Sequence, residues 1–548
     1  MRRWPDAIIR SGRPRMLASR QIGATSYPVF SKNFRRLEGK DAWRNNLELA
    51  ELAASKIASC LGPTGAYKLV TYHKGPALVT KVTKDAVDIV DELSVQYPTI
   101  KTLAEAAKIH REEAGDGVST LLVLTSSLLS EARKLTEIGV HPVAILDGYR
   151  DAAKKSIAII DEIGAEYSGD LQDSLLRVID CGRGLLNKKL REELSKAVSL
   201  VEYANGLDLA RIKIEKKLGG ATEDSRLLGG IIIKKEKRHR SMPERIDRPR
   251  IALVYKQLVL KRPEQLAIDE GPFNAKLTVT ETGQLRQFRS EEGALRARMV
   301  QQVKSAGANV LLCGSKIDER VADGLSREGI FALEMVEKRD FDEVARVTGA
   351  RIAGTVDYLV KGDIGVAKML EVDKIPPEQI AILHCDGAAT LLLRGSSPEI
   401  VQELEKIVKK GLLVIKHSRA RSKVVPGGGA VFVELALQLR AFALGFSGKQ
   451  QLAVKAFADA LETIPKWLAF NLGLDPIDVL TQLRGHHSSH QISMGVGEVG
   501  CDDMYKENVV ELASIFKTTL WRTLEVASLL LKIDDYFYVK DLPMYHKQ

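Results

Sequence analysis

The chain has 548 residues, with 81 Lys and Arg against 71 Asp and Glu (formal charge +10), and 45% apolar against 28% charged residues. That balance excludes a mainly disordered or fibrous chain, and at roughly 150 residues per domain it allows about three domains. No apolar run approaches the roughly 18 residues of a membrane span, and 5% aromatic residues do not favour stacking on single-stranded nucleic acid.

The charge is concentrated at one end. Residues 1–40 hold ten bases and only two acids, Asp6 and Glu38, so the remaining 71 bases and 69 acids nearly cancel. Residues 1–27 admit three readings: an organelle transit peptide, a basic arm for an anionic partner, or an over-extended start with Met16 as the initiator. They lack the apolar core of a secretory signal. The five cysteines (Cys60, Cys181, Cys313, Cys385 and Cys501) are scattered and form no CxxC. This predicts a reduced intracellular chain without disulfides or zinc.

In chain order, Asp41 as a cap and the apolar stripe Leu47, Ala50, Leu52, Ala53, Ile57, Cys60 predict a helix over 41–60, stopped by Leu61-Gly62-Pro63-Thr64-Gly65. A strand pair follows, Leu69–Tyr72 and Ala77–Val82. Helices are expected over 85–93, 98–112, 117–137, 142–163 and 186–203. Strands are expected over 212–216, 230–235 and 251–255. A long helix over 284–306 leads into alternating strands (308–313, 330–336, 351–352) and helices (317–328, 340–348). That alternation predicts an α/β layer in mid-chain. Residues 399–416 return to helix, and the chain after Gly429 is mostly helical. Helical segments at both ends with other domains between them give a three-domain reading.

Three glycine clusters lie in the helical ends: Gly62-Pro63-Thr64-Gly65, Gly115-Asp116-Gly117-Val118-Ser119-Thr120 and Gly427-Gly428-Gly429. The second opens a helix, where free N–H groups and the helix dipole suit a phosphate. An Asp beside a phosphate suits Mg²⁺, although an Asp there can also simply cap the helix.

Taken together, these motifs resemble the group II chaperonins, the archaeal thermosome and the eukaryotic cytosolic chaperonin ring. The resemblance rests on Leu61-Gly62-Pro63, Thr83-Lys84-Asp85, Gly115-Asp116-Gly117 and Val425-Pro426-Gly427-Gly428-Gly429-Ala430. It continues through Gln451-Leu452-Ala453, Ala456-Phe457-Ala458-Asp459-Ala460-Leu461-Glu462, Gly473-Leu474-Asp475-Pro476 and Ile533-Asp534-Asp535. It runs from Pro28 to Asp535 and implies a multidomain chaperonin fold of α and α/β parts. The implied division is an equatorial domain (28–163 and 424–548), an intermediate hinge domain (164–228 and 389–423) and an α/β apical domain (229–388) with a helical protrusion (261–300). Residues 1–27 are a basic extension. The resemblance also implies ATP and Mg²⁺ as cofactors, other subunits in a double ring and non-native proteins as partners, and a cytoplasmic location. A membrane or nucleic-acid partner is not implied.

Carried over residue by residue, Leu61, Gly62, Pro63 and Gly65 wrap phosphates, as do Gly115, Gly117, Val118, Ser119 and Thr120. Asp116 holds Mg²⁺, Asp85 helps position the attacking water, and Gly428 and Gly429 lie near ribose and base. The chain departs from the family where Thr64 replaces a basic residue and Val118-Ser119 replaces Thr-Thr. The largest departure is Lys410, which stands where the family has its hydrolytic Asp. Residues 406–433 contain no Asp or Glu at all. ATP binding without efficient hydrolysis is therefore expected. The alternatives are a fully hydrolysing subunit in which another group replaces the carboxylate, and a ring-derived structural or anionic-partner-binding protein. His486, His487 and His490 form an HHxxH cluster that either binds a metal or sits in a solvated loop. Leu266, Ile268, Phe273, Leu285 and Phe288 are candidate client or lid contacts in the protrusion.

Overall fold

The computed structural model describes residues 34–38, 40–74, 77–93, 97–203, 206–259, 282–375, 378–420, 423–533 and 535–539. The basic extension 1–27 and the protrusion residues Leu266, Ile268 and Phe273 lie outside the described residues.

The first part of the chain is helical: α1 (Lys40–Ala58), α2 (Ala86–Leu93), α3 (Pro98–Ala114), α4 (Val118–Glu137) and α5 (Pro142–Ile163). A hairpin of Lys68–Lys74 against Ala77–Thr83 separates α1 from α2. Helix α5 shows the local logic. Pro142 takes the first helical position, where its missing N–H costs nothing, and the His141 ring accepts from Val143 N. Ile145, Tyr149, Ala152, Ser156 and Ile159 then recur at helical spacing and are buried.

Helices α6 (Leu171–Asp180) and α7 (Lys188–Leu200) lead to the strand Ile212–Leu218, which pairs in parallel with Ala389–Gly395. The mid-chain is α/β. Strands Phe331–Leu333, Val310–Cys313, Arg250–Val254 and Ile352–Ala353 form a parallel sheet in that spatial order. Its connections carry α8 (Thr282–Ser305), α9 (Glu319–Arg327) and α10 (Lys338–Thr348). Every residue of Val310–Cys313 is buried, as expected for a parallel strand covered on both faces. A second, antiparallel sheet orders Arg245–Asp247, Met369–Ile375, Glu378–His384 and Ile231–Ile233.

The chain then returns through α11 (Pro398–Ala420) and the strand Lys423–Pro426. It ends in α12 (Ala430–Ala443), α13 (Lys449–Leu461), α14 (Thr463–Asn471), α15 (Pro476–Ser488) and α16 (Ala513–Leu531). Strand Asp535–Val539 pairs antiparallel with Phe34–Glu38, which joins the first and last described segments.

Three large cores follow from this path. One joins α1–α5 with α12, α13 and α16; in it Tyr149 packs edge-on to Phe457 at 5.6 Å and donates to Leu128 O at 2.8 Å. The second lies around the parallel sheet. The third gathers α6, α7 and α11 against the strands at 212–218 and 389–395.

The expected helices of the chain ends and the mid-chain alternation are present. Helix α6 and the strands at 369–375, 378–384 and 389–395 carry no sequence signal strong enough to have been expected. The solvated loop expected around the histidines is a correction: Gly485–Ser488 is the last turn of α15. There His487 is buried, joined to Glu434 through Nδ1 at 2.7 Å, and its Nε2 donates to Met494 O at 2.9 Å. An apolar helix face and a buried acceptor outweigh the local Gly and Ser.

Glu462 is 1% exposed and receives Arg440 Nη1 and Nη2 at 2.7 Å and Arg484 Nε at 2.8 Å. Glu462→Ala leaves two guanidinium groups facing each other. Arg440 keeps Asp459 and both guanidinium groups reach solvent, so the cost falls between exposed and buried pairs, about 1–3 kcal/mol, and we expect a lower midpoint in denaturant titration with an unchanged slope.

Candidate functional site

Most of the predicted site residues gather where α11 crosses the starts of α2 and α4. Asp85 caps α2: its Oδ1 accepts from Val87 N at 3.0 Å and Asp88 N at 3.2 Å. The loop at 61–65 is held from below by Lys84, whose Nζ donates to Gly62 O at 2.7 Å and Pro63 O at 3.1 Å. Thr64 donates to Asn471 O at 2.9 Å. Gly117, at φ +85°, turns the chain into α4, so Val118, Ser119 and Thr120 form its first turn.

Gly115 is the contact point between the two layers. Its φ is +80°, and a Cβ there would stand 2.8 Å from Leu413 Cβ and 3.2 Å from Lys410 O. Only a residue without a side chain lets α11 ride directly on the Gly-Asp-Gly turn. Gly428 and Gly429 are also brought near the turn into α12. The space their side chains would occupy is filled by Met504 at Gly428, and by Pro465 and Leu468 at Gly429. The chain's own packing is thus reason enough for those two glycines.

The electrostatics centre on Asp85, whose side chain is 2% exposed. Lys410 Nζ reaches its Oδ2 at 2.9 Å, and Arg111 Nη1 its Oδ1 at 3.5 Å. Burial alone would raise the Asp85 pKa, but Lys410, with help from Arg111 and Lys406, holds the carboxyl well below the usual range. Burial likewise works against the Lys410 ammonium, and Asp85 and Asp116 more than offset it, so the ammonium is held above its ordinary range. A second cluster lies one turn of α11 earlier. Lys406 pairs with Asp88, which also accepts Lys81 at 2.9 Å, while Arg183 reaches Glu403 at 3.5 Å. At the far end of α11, His417 Nε2 donates to Glu113 O at 2.6 Å.

Asp116 lines a cavity of about 30 Å³ together with Gly117, Thr120, Val414, Phe432, Glu511 and Thr519. Val414 belongs to α11, so that helix forms part of the cavity wall. The Asp116 carboxylate has no ion-pair partner among the described residues and fits a Mg²⁺ ligand. Asp85 does not offer a second one, because its oxygens are committed to two cations and two amides.

Sequence reasoning missed four residues here. Arg111 is one helical turn before Gly115. His110 is buried against Thr519 Oγ1 at 3.1 Å. Arg183 is nearly buried beside Glu403. Burial and the neighbouring Asp116 push the Glu511 carboxyl up to about 7. A lone acid inside the apolar run Val509-Val510-Glu511-Leu512 was the available signal for the last.

With this geometry in view, relationship can be assigned. Residues 54–540 match the TCP-1/cpn60 chaperonin family. A thermosome subunit of Methanopyrus kandleri is 37% identical over 94% of this chain and 95% of its own length. The alpha and beta thermosome subunits of Thermoplasma acidophilum are 36% and 34% identical, over 92% and 94% of this chain and 93% and 95% of theirs. The chain belongs to the TCP-1/cpn60 chaperonin family. Within that family it is a group II chaperonin subunit of the thermosome type, with a multidomain fold and a role in protein folding. Among the described residues no helix is long and apolar enough to cross a membrane.

Two outcomes test this site. Lys406→Ala removes a partly buried pair and should lower the cost of opening α11 by about 1–2 kcal/mol, between exposed and buried pairs. Faster amide exchange confined to Pro398–Ala420 would report it. Burial and Arg522 press the His110 pKa down to about 4. The unfolded chain then binds the extra proton first, so this histidine's stability is present above about pH 6.5 and is lost as pH falls toward 4. In His110→Gln that share of the acid-induced loss should vanish, as read by melting at stepped pH.

Proposed function

We propose that this chain is an ATP-binding subunit of a cytoplasmic, hetero-oligomeric double ring that assists non-native proteins while contributing little hydrolysis itself. The observation that carries this reading is Lys410 Nζ at 2.9 Å from Asp85. The ammonium stands where the family keeps a carboxylate, and it is held protonated, so it cannot accept a proton from water. Asp85, with a depressed pKa and two cations on it, is a poor base as well. The absence of any acid in 406–433 removes a substitute from the same segment. Loss of a general base lowers the rate by about 10²–10⁴-fold.

Ring assembly fits the sheet edges. The hairpin at 68–83 and the pair 34–38 with 535–539 are each two-stranded among the described residues, and Leu69 is exposed on the hairpin. Such edges are ready templates for strands of a neighbour.

Glu511 favours a second reading. Glu511 lines the same cavity as Asp116 and burial raises its carboxyl, which makes it the candidate to replace the family Asp as base. ATP turnover by the assembled ring decides between the two. We expect wild type to be at least about 10²-fold slower than Lys410→Asp. Equal rates would overturn the impaired-hydrolysis reading, and their loss in Glu511→Gln would support the second.

A further inference from the structure

The loop at 61–65 carries no charge of its own. Its one polar side chain, Thr64, donates to Asn471 O at 2.9 Å. Directly behind the loop stands Lys84, which is 4% exposed. Its Nζ donates to Gly62 O at 2.7 Å and Pro63 O at 3.1 Å and lies 3.5 Å from Cys181 O. All three partners are neutral carbonyls, and Lys84 has no ion-pair partner among the described residues.

The other groups around Lys84 do not supply the missing anion. Asp180 acts on it from further off, but its oxygens already accept from the amides of Gly184, Leu185 and Leu186 at 2.7–3.1 Å. Arg183 acts on it with like charge and is itself 3.5 Å from Glu403. Cys60 and Cys181 are thiols that burial keeps neutral. A buried charge is costly unless it is paired, so an ammonium faced only by carbonyls leaves room for an anion nearby.

The peptide geometry says on which side. In a trans peptide the carbonyl and the N–H point to opposite sides. Lys84 fixes the Pro63 carbonyl on its own side, so the Thr64 N–H points away from it, where it meets no acceptor among the described residues. The Gly62 carbonyl is fixed twice, by Lys84 and by Gly65 N at 3.3 Å. The turn after α6 packs against the same loop: a Cβ on Gly182 would stand 2.9 Å from Pro63 O. Outward backbone N–H groups suit an anion, and a cation withdrawn from water acts on that anion with little screening.

We infer that Lys84 is the positioning residue of the phosphate loop: it fixes the Gly62 and Pro63 carbonyls inward, turns the Thr64 N–H outward, and sets a positive charge behind that face for the phosphates of a nucleotide. This rests on the proposed nucleotide binding and deepens it. Lys84 does not touch the ligand. It acts through the loop, so its contribution is confined to the phosphate end and leaves the nucleoside end alone.

The test is titration of the purified full chain with ADP and with adenosine, both in excess magnesium chloride. In Lys84→Met, ADP should bind at least about tenfold more weakly than in wild type, which corresponds to about 1.4 kcal/mol, while adenosine changes by less than about threefold. Lys84→Arg keeps charge and donors and should hold ADP within about threefold of wild type. Should Lys84→Met fail to fold, Lys84→Gln, which keeps an amide donor for the carbonyls but no charge, carries the same comparison. A folded Met or Gln variant that binds ADP as wild type does, or that loses ADP and adenosine equally, would overturn the inference while leaving nucleotide binding intact. Absence of ADP binding by wild type would overturn the nucleotide-binding reading itself, and this inference with it.

Discussion

The Asp85–Lys410 ion pair is the contact on which the site depends. It ties the start of α2, in the core built from both chain ends, to α11, in the core built around the strands at 212–218 and 389–395. Both partners are largely withdrawn from water, so each is costly to leave alone. The pair also shares Asp85 with two amides of the α2 N-terminus and with Arg111. The conformation of a helix start, the seating of a 23-residue helix and the size of the cavity at Asp116 are therefore coupled through one carboxylate.

Much of the architecture was legible in the sequence because periodicity and punctuation agree there. Helix α5 has Pro at its first position and apolar residues at helical spacing, and α15 opens on Asp475-Pro476, whose aspartate accepts from Ile477 N and Asp478 N. The antiparallel strands of residues 369–384 were not legible. In Met369-Leu370-Glu371-Val372-Asp373-Lys374-Ile375 the charges blur the alternation, and pairing with the neighbouring strand over seven residues settles the matter instead. The histidine cluster misled for a related reason. Its local Gly and Ser favour a loop, but Glu434, far away in sequence, gives His487 a buried partner.

For the site, the sequence named Asp85, Asp116 and Lys410 but not how they bear on one another. That Lys410 is bonded to Asp85 needs the crossing of α11 over Gly115, which is a property of packing. Arg111 and Arg183 are ordinary helix-end and loop cations in the sequence, and only the fold turns them toward Asp85 and Glu403.

The hold of Lys410 on Asp85 also changes why position 85 needs a carboxylate. In this chain the acid at 85 also anchors α11 over the Gly-Asp-Gly turn. An acid at 410 would set two carboxylates against each other beneath α11, a like-charge contact that a cation between them would relieve. The lysine thus ties the resting position of α11 to the charge at position 85.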